Sequence, residues 1–214
     1  MAATSASKPP AAGADENPAR RRILEAAFSA FMEQGYADTS TLEIATRAHV
    51  SKRELYALVG NKQAILVACI SARARRFQLS ADLPEPCDRE TFSRALETLG
   101  AQLLREISHP TVVAVFRIAV AEAVRAPEIA RALDTIGGET SRGAVREIMD
   151  RARSAGLVSG NPARMAERFA GLLWGNLMVG LLLRIAEQPT PREIERRASD
   201  ATAAFLRIYS APDA

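Results

Sequence analysis

Between Thr39 and Lys62 the chain reads TSTLEIATRAHVSKRELYALVGNK. The stretch is dense in cations (Arg47, Lys52, Arg53, Lys62) and hydroxyls (Thr39, Ser40, Thr41, Thr46, Ser51, Tyr56). Such groups bond phosphate oxygens, and a forked guanidinium also fits the O6 and N7 edge of guanine. The rest of the chain offers no rival chemistry. It has two histidines, His49 and His109, and no HExxH, CxxC, GxSxG or glycine-rich phosphate loop. Cys69 and Cys87 have neither metal spacing nor a paired framework, and they read as free thiols in a reducing cytosol. No catalytic residue, metal or cofactor is expected.

Two short helices must position these groups. Ser40-Thr41-Leu42-Glu43 and Ser51-Lys52-Arg53-Glu54 both fit the S/T-x-x-E capping box. Boxes this close leave room for two short helices and a tight turn at Ala48-His49-Val50. Ile44, Ala45, Ala48, Val50, Leu55 and Val59 supply an apolar side; Thr46, Arg47, Lys52, Arg53 and Tyr56 face out. This is the layout of a helix-turn-helix, whose second helix enters the major groove by its N-terminal end. Thr39, Ser40 and Thr41 are expected at phosphate, although Ser40 can serve as a cap alone. Ser51, Lys52 and Arg53 start the second helix, with Arg53 the expected base reader; a phosphate contact or a solvated charge is the plain alternative. Lys62 begins the following helix, where free backbone N–H groups attract anions. His49 must hold the turn, a position that favours positive φ.

With Ile23, Ala26-Ala27, Phe31, Gly35-Tyr36, Thr39, Ile44-Ala45, Ala48, Val50-Ser51, Leu55-Tyr56, Lys62 and Leu66, the region 18–66 resembles the DNA-binding domain of the TetR family of bacterial regulators. The resemblance implies that Lys62 contacts phosphate and that the Tyr56 hydroxyl meets the DNA backbone; a core aromatic with a wet tip is the other reading of Tyr56. His49 stands where the family usually has Gly, Val59 where it usually has Phe, and Arg53-Glu54 where small residues are common.

The chain has 214 residues, a net charge of +3, 48% hydrophobic residues and 5% aromatics. That allows one or two domains with a real core, soluble and all-helical, and the mild basic excess is compatible with nucleic acid. Residues 1–17 read as a disordered tail without a signal peptide's apolar region, and no membrane span is expected. The expected helices are 20–34, the pair just described, 62 to about 81, 88–107, 111–125, one from Pro127 interrupted at Gly137-Gly138 and resuming over 139–155, a long one from Asn161 to about Glu187, and 191–209. About nine result. Residues 67–87 connect an N-terminal three-helix domain to an all-α bundle over 88–214.

In that bundle Val120-Ala121-Glu122-Ala123, Gly156-Leu157-Val158, Asn161-Pro162 and Phe169-Ala170-Gly171-Leu172-Leu173 resemble the AefR-like C-terminal domain of the same family. The resemblance implies a domain for effector binding and dimerisation. Phe116, Arg117, Glu122, Trp174 and Met178 are the expected lining of a small-molecule pocket; the bland reading makes the aromatics core and the Arg–Glu set an ordinary pair. Leu172, Leu177, Leu181, Phe205 and Ile208 are the expected dimer contacts. A twofold dimer would set two recognition helices about 34–36 Å apart, the spacing of a palindromic duplex site. The expectation is therefore a cytoplasmic homodimeric repressor released from double-stranded DNA by a small molecule. An effector-independent DNA-binding dimer, or a helical metabolite-binding protein or enzyme with a vestigial helix-turn-helix, are the alternatives.

Overall fold

The computed structural model describes residues 17–76 and 83–209. The expected tail over 1–16, and the end of the fourth helix toward Ala81, lie outside them. Among the described residues all regular structure is helical, in eleven α-helices and one π turn. Packing divides the chain into two units, Met1–Cys69 and Ile70–Ala214.

The first unit holds α1 (Pro18–Gln34), α2 (Thr41–Arg47), α3 (Lys52–Leu58) and the start of α4 (Lys62–Arg76). Asn17, expected in the tail, caps α1: its side-chain oxygen accepts from the Ala19 and Arg20 N–H groups, and Pro18 fills the first turn. Gly35, at φ +86°, ends the helix. One apolar face from each helix meets in the core, where Ile23, Ala27, Ile44, Leu55, Ile65 and Leu66 are fully buried.

The second unit runs α5 (Arg89–Ile107), α6 (Pro110–Glu122), α7 (Pro127–Ala132), a π turn (Leu133–Gly138), α8 (Glu139–Ser154), α9 (Pro162–Trp174), α10 (Leu177–Leu182) and α11 (Pro191–Tyr209). Asp88 and Thr91 make a reciprocal capping box at the start of α5. The His109 ring nitrogen caps α6, accepting from the Thr111 N–H at 3.3 Å. Asn161 caps α9 ahead of Pro162, as expected.

Two expectations are corrected. Gly137-Gly138 does not interrupt the chain: the backbone stays helical there and widens into the π turn. The long helix from Asn161 to Glu187 is broken. α9 stops at Gly175, whose φ of +47° and ψ of −126° suit glycine alone, and α10 ends at Leu183 with Arg184 at φ +60°. No single helix among the described residues is long and apolar enough to cross a membrane.

The core of the second unit gathers around Phe205. Its ring meets Phe92 and Phe169 edge-on at 6.4 and 5.7 Å, and stacks on Tyr209 at 4.8 Å. Gly100 lets α5 come close: a Cβ there would lie 3.2 Å from Leu173 and 3.4 Å from Ala198 and Phe169.

Candidate nucleic-acid interface

α2 and α3 are short, so their placement depends on what holds their ends. Both expected caps form. The Ser40 hydroxyl accepts from the Glu43 N–H at 3.1 Å, and the Ser51 hydroxyl from the Glu54 N–H at 3.0 Å. The returning half of the first box differs. Glu43 turns to Gln34 at 2.6 Å and to Arg47 at 2.8 Å, which ties α2 to α1. Arg47 also reaches Glu33 at 2.7 Å. There Ser29 and Arg47 donate to the Glu33 carboxylate and hold it below the usual carboxylate range, and Glu33 raises Arg47 in return.

The turn between the helices is a Schellman motif. The Val50 N–H bonds the Ala45 carbonyl at 3.0 Å and the His49 N–H bonds Thr46 at 3.2 Å. That pattern puts the residue after the cap in the left-handed region, and His49 adopts φ +53°. From α1, Arg22 Nε donates to the Ala48 carbonyl at 3.1 Å and fixes the far end of α2.

α3 buries one side chain fully, Leu55, and leaves Lys52, Arg53, Glu54, Tyr56 and Ala57 exposed. A helix this thinly buried has its outer face open along its length. The Tyr56 hydroxyl lies 3.4 Å from that of Thr41, so the start of α2 and the face of α3 meet. Ser40 and Ser51 are exposed and Thr41 is half-buried.

Two sites differ from expectation. Thr39 is only 2% exposed, and its hydroxyl donates to the Gly35 carbonyl at 2.7 Å. Its side chain braces the α1–α2 turn instead of facing out. Lys62 does start α4, but its ammonium donates to the Ala37 carbonyl at 3.0 Å and sits 4.5 Å over the Tyr36 ring. Arg22 and Glu33 were not singled out in the sequence, and Tyr36 entered only as part of the family pattern, without a role. They act through contacts distant in the chain, which no local spacing encodes.

In the second unit the expected pocket residues are engaged or covered in different ways. Arg117 donates from Nη2 to the Leu181 carbonyl at 2.6 Å and from Nε to Leu182 at 3.1 Å. It is a clamp on the end of α10, adding a side-chain donor to the Leu181 carbonyl, which also accepts from the Arg184 N–H at 3.2 Å, and one to the Leu182 carbonyl. Trp174 packs half-buried against the core, while Phe116, Glu122 and Met178 are also half-buried. One open groove, of about 670 Å³, lies beside α8 and the start of α9. Arg146, Glu147, Asp150, Arg153 and Asn161 line it, and none of the expected residues does. The expected dimer contacts also divide. Leu177, Leu181 and Phe205 are buried inside their own unit, Phe205 as its aromatic hub, whereas Leu172 (36% exposed) and Ile208 (55%) are open. Val179, Leu183 and Ile185 are open as well.

Comparison with known proteins fits this geometry. Residues 23–69 match the family model for bacterial regulatory proteins of the tetR family, and residues 94–211 match that for the C-terminal domain of AefR-like transcriptional repressors. An uncharacterized HTH-type transcriptional regulator of Bacillus subtilis, YvkB, is 24% identical over 91% of this chain and 98% of its own. The flavonoid-responsive regulator FrrA is 30% identical, covers 91% of this chain and 98% of its own, and superposes with a TM-score of 0.76. The SmeT–triclosan complex, at 18% identity and a TM-score of 0.64 over 90% of this chain and 92% of its own, shares the fold. The chain belongs to the TetR family, with an AefR-like C-terminal domain, and is a DNA-binding transcriptional regulator.

Proposed function

We propose that the protein is a cytoplasmic homodimeric repressor that reads a palindromic operator through α3 and releases it when a small molecule binds the second unit. The observation that carries the reading is the open face of α3: Leu55 anchors the helix while Lys52, Arg53 and Tyr56 point into solvent. Arg53 reads guanine. Ser51, Lys52, Tyr56 and the Ser40–Thr41 start of α2 take phosphate, with Lys62 at the head of α4. The DNA-reading domain spans 18–66, 67–87 link it onward, and 88–214 form the effector and dimer domain.

For dimerisation, the open apolar residues Leu172, Val179 and Ile208 supply surface that a second copy would cover. For an effector, support comes from the relatives: one is named for its response to flavonoids and another was solved with triclosan. An effector loosens DNA only through its difference in affinity between two states of the protein. A second reading, a dimer without an effector, is favoured by the engagement of Arg117 with backbone carbonyls, which takes the expected polar anchor out of any pocket.

Binding-site selection on random duplexes tests the central claim. The wild type should select a palindrome, and Arg53→Ala should lose preference at one base pair per half-site, a discrimination of about 1–3 kcal/mol. A wild type that selects nothing at low salt refutes the reading.

A further inference from the structure

Among the described residues, the first unit leaves two large apolar side chains open to water, Leu42 and Tyr56, and both lie on the helix-turn-helix. Tyr56 has a hydroxyl to spend. Leu42, 62% exposed, has none. Every other side chain of α2 has a place. Thr41 reaches the Tyr56 hydroxyl, and Glu43 and Arg47 pair with each other and with α1. Ile44 and Ala45 are buried, and Thr46 bonds the Leu42 carbonyl at 2.9 Å.

The direction of Leu42 follows from its neighbours. Thr41, just before it, faces α3; Glu43, just after it, turns to Gln34 on α1. Successive side chains on a helix are about 100° apart, so Leu42 leaves α2 outward, and Thr46, one turn on, is exposed on the same side. The Thr41–Tyr56 contact sets this end of α2 beside α3, whose exposed residues include Arg53. A duplex offers an aliphatic group in that position one apolar partner at the groove edge, the C5-methyl of thymine; the other edge groups are hydrogen-bond donors and acceptors.

We propose that Leu42 contacts a thymine methyl in each half-site, so that the outer flank of α2 adds an A·T preference to what α3 reads. This inference rests on the DNA-reading role proposed above. It makes Leu42 a specificity residue whose contact is apolar and carries no charge.

The test replaces each thymine of the selected operator, symmetrically in both half-sites, by 2′-deoxyuridine, which lacks only the methyl. Wild type and Leu42→Ala are then titrated on every duplex. Replacing one particular thymine in both half-sites should cost the wild type about fifteenfold, roughly fourfold for each of the two buried methyls, and should cost Leu42→Ala nothing. Because Leu42 is exposed and alanine is the better helix former, the variant should melt no lower than the wild type. A uridine scan identical for the two proteins overturns the inference while leaving operator binding intact. So does a selected site without a fixed thymine. A wild type that selects no site takes this inference down together with the DNA-reading role.

Discussion

At the scale of single residues, His49 and Lys62 show how a local observation becomes a measurement. His49 holds φ +53° in a turn fixed by two backbone bonds, a conformation that costs a non-glycine residue roughly 1 kcal/mol. His49→Gly should therefore raise stability by up to about 1 kcal/mol in urea unfolding, offset in part by the freer unfolded chain. A β-branched His49→Val should do the opposite. Lys62 is tied to Ala37 and Tyr36 beside the entry to α2. Lys62→Ala should weaken binding to all duplexes alike and lower the salt slope by about one. Gel shifts at two salt concentrations read this, and unchanged affinity and slope would remove Lys62 from the interface. Both residues were visible in the sequence, His49 because a turn had to fall between two capping serines and Lys62 through the family pattern. Their partners were not: the Arg22 bond to Ala48 spans 26 positions and the Lys62 bond to Ala37 spans 25. Thr39 was misplaced for a different, local reason: its bond to the Gly35 carbonyl, four positions back, depends on how the α1–α2 turn closes.

At the scale of elements, punctuation by caps was legible. Ser40, Ser51, Asp88 and Asn161 each bond the first turn of the helix that their sequence announced, and Asn61 does the same at the start of α4. Glycines were harder to read, because the same residue can stop a helix or sit inside one. Gly175 stops α9 while Gly138 continues into α8 with ordinary helical angles. Composition around them does not separate the cases, so the run from Asn161 to Glu187 looked continuous. Asp88 gives this scale its prediction. The Thr91 backbone N–H and hydroxyl donate to its carboxylate and hold it below the usual aspartate value of about 3.9. A lowered folded value means that the cap stabilises above the unfolded value and that this is lost as pH falls through the folded one. Unfolding midpoints should thus drop from about pH 4 downward, and Asp88→Asn, which keeps an accepting oxygen, should flatten that part of the profile. A wild-type midpoint constant over that range would contradict it.

At the scale of the molecule, the second unit keeps Phe205 inside and leaves Leu172 and Ile208 outside. That separates two variants which the sequence alone would have grouped. Phe205→Ala should destabilise by about 3–5 kcal/mol whether or not the protein dimerises. Leu172→Asp with Ile208→Asp should leave helicity intact and shift sedimentation from two chains to one, with loss of tight binding to the palindrome. A doubly substituted protein that still sediments as a dimer would move the interface elsewhere. Apolar type told the sequence reader that these residues needed cover, but not whether the same chain or a copy provides it. The division between the units has its own consequence. It falls between Cys69 and Ile70, inside α4, where each amide bonds the carbonyl four positions earlier. A gene fragment stopped at residue 66 would strip those rungs from the helix that Lys62 begins. Anyone grafting this reading head onto another body must therefore carry the chain through Arg76, because the division between the units falls within a helix.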